Sequence, residues 1–177
     1  MNETADLFTR LAPYGFDSGA TFSPCRLYRY HLWRAWGDRE KRVAFIGLNP
    51  STADETEDDP TIRRCIGFAK RWGFGAYDML NLFAWRSTDP MGIVRPDPIG
   101  VDNDATILRV AKSAGRVVLC WGSHKKLGHL VPERAVAVRA LLASLSGRVG
   151  HLGRNHDGME KHPLYLPNTT SFVPVKP

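Results

Sequence analysis

Three apolar runs constrain this chain most. Residues 42–48, RVAFIGL, residues 76–84, AYDMLNLFA, and residues 116–121, RVVLCW, each read as a buried strand closed by a polar turn. A helix separates the first two. Asp59 is its N-cap, Pro60 takes the favoured first position, and Ile62, Cys65, Ile66, Ala69 and Trp72 recur every three or four residues until Gly73. A second helix is expected over 104–114, capped by Asp102 or Asn103. A third runs from Pro132 to Ser146 with Val138, Leu141, Leu142 and Leu145 on one face, and residues 148–152 form a fourth strand. Residues 22–36 alternate aromatics with arginines and read as one or two strands with one polar face. A short helix is expected over 4–11, a loop over 86–104 and an irregular tail after His162. Strands alternating with helices predict a single α/β domain over 1–177. It should be a three-layer α/β/α sandwich around a short, mainly parallel sheet.

In such sheets ligands bind beyond the carboxyl ends of the strands. Four polar segments fall there. Gly47-Leu48-Asn49-Pro50-Ser51 reads either as a turn that admits close approach to the backbone or as an ordinary strand ending. Asn81 lies between Leu80 and Leu82, so its amide either reads a nucleobase edge or bonds a neighbouring loop. Ser123, His124, Lys125 and Lys126 suit phosphate contacts or a solvated loop. His162, followed by Pro163 and Leu164, is either a donor to a developing anion or a surface histidine. The acids of residues 51–60 invite a Mg²⁺ reading, but helix capping and solvation account for them without it, and no metal or cofactor is expected. There is no P-loop, GxGxxG, HExxH or GxSxG.

The charge is uneven. Of the 177 residues, 24 are Lys or Arg and 18 Asp or Glu, a formal charge of +6. Residues 1–104 carry 13 basic and 15 acidic residues, whereas residues 105–177 carry 11 and 3. A polyanion is therefore expected to meet the second part. Cys25, Cys65 and Cys120 form no CxxC pair, which suits a reducing cytoplasmic setting. No apolar run approaches the ~18 residues of a membrane span.

The segments LNPSTADETEDDPTIRRC, GFAKRWGFGAYDMLNLFAWRSTDP, IGVDND, CWGSH and HPLYL resemble a family known as domain of unknown function 1643. More distantly, the ordered set GLNPS, strand-end Asn, WGSHKK and HPL is similar to the uracil-DNA glycosylase superfamily. That resemblance implies a nucleobase-excising N-glycosidase of DNA repair, working on single- or double-stranded DNA by base flipping. It implies Asn49 as the water-positioning residue and His162 as the donor to the leaving base. Gly47, Pro50, Ser51 and Asn81 would line the base pocket, with Phe83, Trp85 or Trp72 stacking on the base. Ser123, His124, Lys125, Lys126, Pro163 and Leu164 would meet nucleic acid. A monomer is expected. Ser51 replaces a glycine of the superfamily pattern, HPLYL lacks its serine, and the acidic stretch has no counterpart and should point away from nucleic acid. Two other functions fit the same residues: a non-catalytic nucleic-acid binder, and a hydrolase of free nucleosides or nucleotides.

Overall fold

The computed structural model describes residues 17–145 and 147–175; the helix expected over 4–11 lies outside them. Strands β1 (Asp17–Phe22) and β2 (Arg29–Ala35) form an antiparallel hairpin. Strand β3 (Arg42–Gly47), helix α1 (Pro60–Arg71), strand β4 (Ala76–Asn81), helix α2 (Asn103–Ser113), strand β5 (Arg116–Leu119), helix α3 (Leu130–Leu141) and strand β6 (Val149–His151) follow. Strand β7 (Val173–Pro174) closes the order β1-β2-β4-β3-β5-β6-β7.

This is an α/β fold, but its sheet is neither short nor mainly parallel. The four central strands run parallel, β4 with β3, β3 with β5, and β5 with β6. The β1–β2 hairpin joins β4 antiparallel, and β7 joins β6 antiparallel. The aromatic and arginine-rich segment, expected as one or two strands, supplies two strands that extend the sheet. The irregular tail contributes the last strand.

The central strands are largely apolar because both faces are covered; the buried Asp78 of β4 is accommodated by His31 at 2.8 Å and Arg42 at 2.9 Å. Val43 and Phe45 of β3 pack with Ile62, Cys65, Phe68 and Ala69 of α1. Ala44 and Ile46 point the other way, into Ile107, Val110 and Ala111 of α2 and Val131, Ala135 and Val138 of α3. Helix α1 begins as expected: the Asp59 carboxylate accepts from the Ile62 N–H at 2.8 Å, with Pro60 in the first turn. Helix α3 starts at Leu130, two residues early, since proline is tolerated within a first turn; it stops at Leu141, and a 3-10 turn over Ala143–Leu145 follows.

Strand β4 stops at Asn81, three residues before the end of its apolar run. Beyond it, Leu82 and Phe83 donate their backbone N–H groups to the Gly47 and Leu48 carbonyls at 2.9 and 3.0 Å, and Ala84 donates to Ile99. Asn103 explains this path. It caps nothing; it is buried in the first turn of α2 and donates to the Asn81 and Leu82 carbonyls at 3.1 and 3.0 Å.

Candidate functional site

The carboxyl ends of β3 and β4 deliver Gly47 and Asn81 to one edge of the sheet. The loop after β5 brings His124, and the segment after β6 brings His162. With Asn49, Ser51, Asp59, Arg29 and Tyr165 they line a single cavity of about 330 Å³. The loops are pinned together behind it. The Gly122 N–H donates to the Glu160 carbonyl at 2.9 Å, while the buried Glu160 carboxylate takes Arg139 of α3 at 2.7 Å. Gly122 has φ 82°, and a Cβ there would stand 3.3 Å from the Cβ of His162 and 3.4 Å from Nε2 of His124.

Asn49 is half-buried. Its NH₂ donates to the Ser87 carbonyl at 2.8 Å and to that of Pro50 at 3.1 Å. Both donors are therefore spent within the protein, which leaves Oδ1 to accept from a ligand or water. Asn81 is only 1% exposed. Its Oδ1 accepts from Arg29 Nη2 at 3.3 Å, and its Nδ2 has no partner among the described residues.

The sequence pattern does not single out Arg29. It opens β2, and because β2 runs antiparallel to β4, the start of β2 lies at the carboxyl edge of the parallel strands. The polar face expected on residues 22–36 is in fact covered. Arg29 and Arg34 are both buried, Arg29 on the Ala53 carbonyl at 2.7 Å and Arg34 on Asp58 at 2.8 Å. The covering is the acidic stretch itself. Glu55 pairs with Arg26, Asp54 accepts from the Thr56 and Glu57 N–H groups, and Asp59 caps α1. Five acids without a base in residues 51–60 were the available signal for buried arginines elsewhere. Among the described residues no group of three or more His, Cys, Asp or Glu is placed to hold a metal ion. Contrary to expectation the stretch does not point wholly away, since Asp59 lines the cavity.

Two histidines face the same space. The Leu164 N–H donates to His162 Nδ1 at 3.3 Å, so the neutral ring carries its proton on Nε2. Burial, and after it the neighbouring His124, pushes the pKa of His162 below the ordinary histidine value, while Asp59 opposes the shift. His124 Nε2 donates to the Trp121 carbonyl at 2.8 Å.

Other expected site residues lie elsewhere. Phe83 is fully buried in the core beneath α2 and α3. Trp85 packs edge-on to Tyr28 with Arg95 across its ring, and Trp72 stacks on Phe45 and Phe68. No expected stacking residue borders the cavity, and the aromatic that does is Tyr165, 85% exposed. Pro163 and Pro50 are buried and Leu164 half-buried, so the two prolines offer no open surface. Ser123 Oγ donates to Asp157 at 2.9 Å. Lys125 and Lys126 are exposed on the 3-10 turn Lys125–Leu127. Lys125 borders a cavity of about 240 Å³ with His124, Pro132 and Asp157. A third cavity of about 560 Å³ takes Ser123, His124, Asn155, Lys161, His162 and Tyr165.

The chain belongs to the family described as protein of unknown function DUF1643, whose match spans residues 29–164. That span contains every residue of the cavity except Tyr165. No curated protein and no solved structure matches the chain. Among the described residues no helix is long and apolar enough to cross a membrane.

Proposed function

We propose that this protein is a nucleobase-excising N-glycosidase acting on DNA, with a three-layer fold like that of the uracil-DNA glycosylases. The observation that carries the reading is the meeting of Asn49, Asn81 and His162 in one cavity of about 330 Å³, although they come from three separate segments. That volume lies at the small end of ligand pockets.

A base inside a duplex is out of reach, so the nucleotide flips into the cavity. Asn81 meets the base. Asn49 Oδ1 holds a water against the sugar carbon. The bond from the sugar to the base nitrogen breaks, and its electron pair leaves with the base. His162 Nε2–H donates to the oxygen that gathers this charge, a contact worth about 3 kcal/mol in a dry, preorganised site. The water oxygen bonds to the sugar carbon, and its proton passes to the Asp59 carboxylate. Exposed Lys125 and Lys126 hold flanking phosphates, so affinity falls as salt rises.

Oligonucleotides carrying uracil, hypoxanthine or modified pyrimidines supply the test. The protein should leave abasic sites on at least one. Asn49→Ala and His162→Ala should each slow this by about 100-fold or more. A chain that leaves every oligonucleotide intact, with both variants indistinguishable from it, overturns the reading. Asp59 beside the cavity favours a second reading, because a carboxylate there repels phosphate. On that reading the substrate is a free nucleoside, and turnover does not depend on salt.

A further inference from the structure

Helix α1 carries a glycine that the fold does not ask for. Gly67 lies exposed on its outer face, has no left-handed backbone, and a Cβ built there would meet nothing within 4 Å. Inside a helix only proline is less favourable than glycine, so alanine should be the more stable choice at this position. What glycine leaves is a bare patch of helix backbone, open to a molecule outside the chain.

The side chains around the patch define that molecule. Arg63, Lys70 and Arg71 share the exposed face, one turn to either side of Gly67, and half-exposed Arg64 borders it. Residues 60–77 hold four basic side chains and no acid. Arg63, Arg64 and Arg71 form no ion pair among the described residues. Arg63 and Arg64 bond neutral acceptors, the Asp58 carbonyl and the Asn168 amide oxygen, while Lys70 stands over the Trp36 ring. The acids that precede the helix are engaged elsewhere: Glu55 with Arg26, Asp58 with Arg34, and Asp59 as the cap. The turn Pro163–Tyr165 packs on α1, and residues 161–177 bring no acid to it.

We propose that the outer face of α1 is a docking surface for the sugar–phosphate backbone of a nucleic acid strand, which settles over Gly67 with its phosphates on Arg63 and Arg71. The proposal rests on the cavity being a site for a DNA nucleotide, as argued above. Thr61 and Ile62 of the first turn line that cavity. From Ile62 to Arg71 the helix runs about 13 Å, the length of about four nucleotides of one strand. A strand that delivers one nucleotide to the cavity can therefore continue along α1. Guanidinium forks match phosphate oxygens in pairs. A gap one side chain wide suits a narrow chain, whereas a flat lipid surface has no ridge to fill it.

Binding of a fluorescent DNA oligonucleotide of about 30 bases to the full chain is followed by anisotropy over a range of salt concentrations. The double variant Arg63→Gln, Arg71→Gln should bind about 10-fold more weakly and lower the slope of log affinity against log salt by about 1.4–1.8, the share of two phosphate contacts. Arg71→Gln, which removes no bond within the described residues, stands in should the double variant fail to fold, and should lower the slope by about 0.7–0.9. Gly67→Gln is neutral and favours the helix. It should melt about 2–4 °C higher than the parent yet bind about 5-fold more weakly. A glycine kept for folding alone cannot give that pair of results.

An unchanged salt slope in the arginine variants, or a Gly67→Gln chain that binds as tightly as the parent, overturns the proposal. So does binding to vesicles of anionic lipid and not to DNA, lost in the same variants. The two readings fail separately. If DNA binds through this face and is never cleaved, excision falls and the surface stands. If abasic sites form while affinity and slope are the same in every variant, excision stands and the surface falls.

Discussion

At Gly47 a single methyl group separates an open cavity from a blocked one. A Cβ there would come within 2.7 Å of Met79 Cε and 3.1 Å of Asn81 Nδ2. The methionine end is flexible and can swing aside, at a cost of about 1 kcal/mol. The asparagine is held by Arg29 and cannot. Gly47→Ala should therefore lower the melting temperature by only a few degrees while weakening uracil binding about 10-fold, read by thermal melting and calorimetry. A variant that binds uracil as tightly as the parent would show that the space before Nδ2 is not where the base sits. Single residues differ in how legible they are. Asn49, Asn81 and His162 stand out because polar side chains end apolar runs at a predictable edge. Arg29 does not, because alternation along a strand says which residues share a face but not whether that face is covered. Phe83 misleads for a related reason. It follows Asn81 in the same apolar run, yet the chain has left the strand by then and turned into the core.

The end of β4 is held from outside the sheet. The Asn103 amide donates to the carbonyls of Asn81 and Leu82, and Arg134 Nε of α3 donates to Leu82 at 2.8 Å. Asn103→Ala removes two of these three bonds and leaves Arg134 alone on the Leu82 carbonyl, so it should cost about 2 kcal/mol in chemical denaturation. It should also loosen the loop that carries Phe83 and Trp85, seen as faster amide exchange at residues 82–85. A variant as stable as the parent would mean that α2 does not hold this end. Helix α1 and the parallel strands were readable because cap, apolar period and run length agree. Strand β7 was not. It has two residues, one of them a proline, and is defined by its pairing across the edge, Gly150 with Pro174 and His151 with Val173. The hairpin segment was readable as strand but not in direction. That direction is what carries Arg29 to the cavity.

Across the molecule, acid has one predictable effect. His151 and His162 each accept a backbone N–H from two residues ahead through Nδ1, Gly153 at 3.0 Å and Leu164 at 3.3 Å. Burial lowers the pKa of both, with Arg154 next in importance at His151 and His124 at His162. The folded chain thus binds these protons less readily than the unfolded one, whose histidines titrate near about 6.5. Stability from this source is complete above that pH, declines as the pH falls through it, and levels off below the folded values. Melting should therefore begin to drop between pH 7.5 and 5.5. His162→Asn, whose oxygen can still accept from Leu164, should flatten part of that slope. A level melting temperature over this range would contradict both assignments. The architecture also carries a consequence at its carboxyl edge. His124 lines each of the three cavities described above. A change at that one ring therefore alters three concavities at once, and the ring is itself tethered through Nε2 to the Trp121 carbonyl just beyond β5.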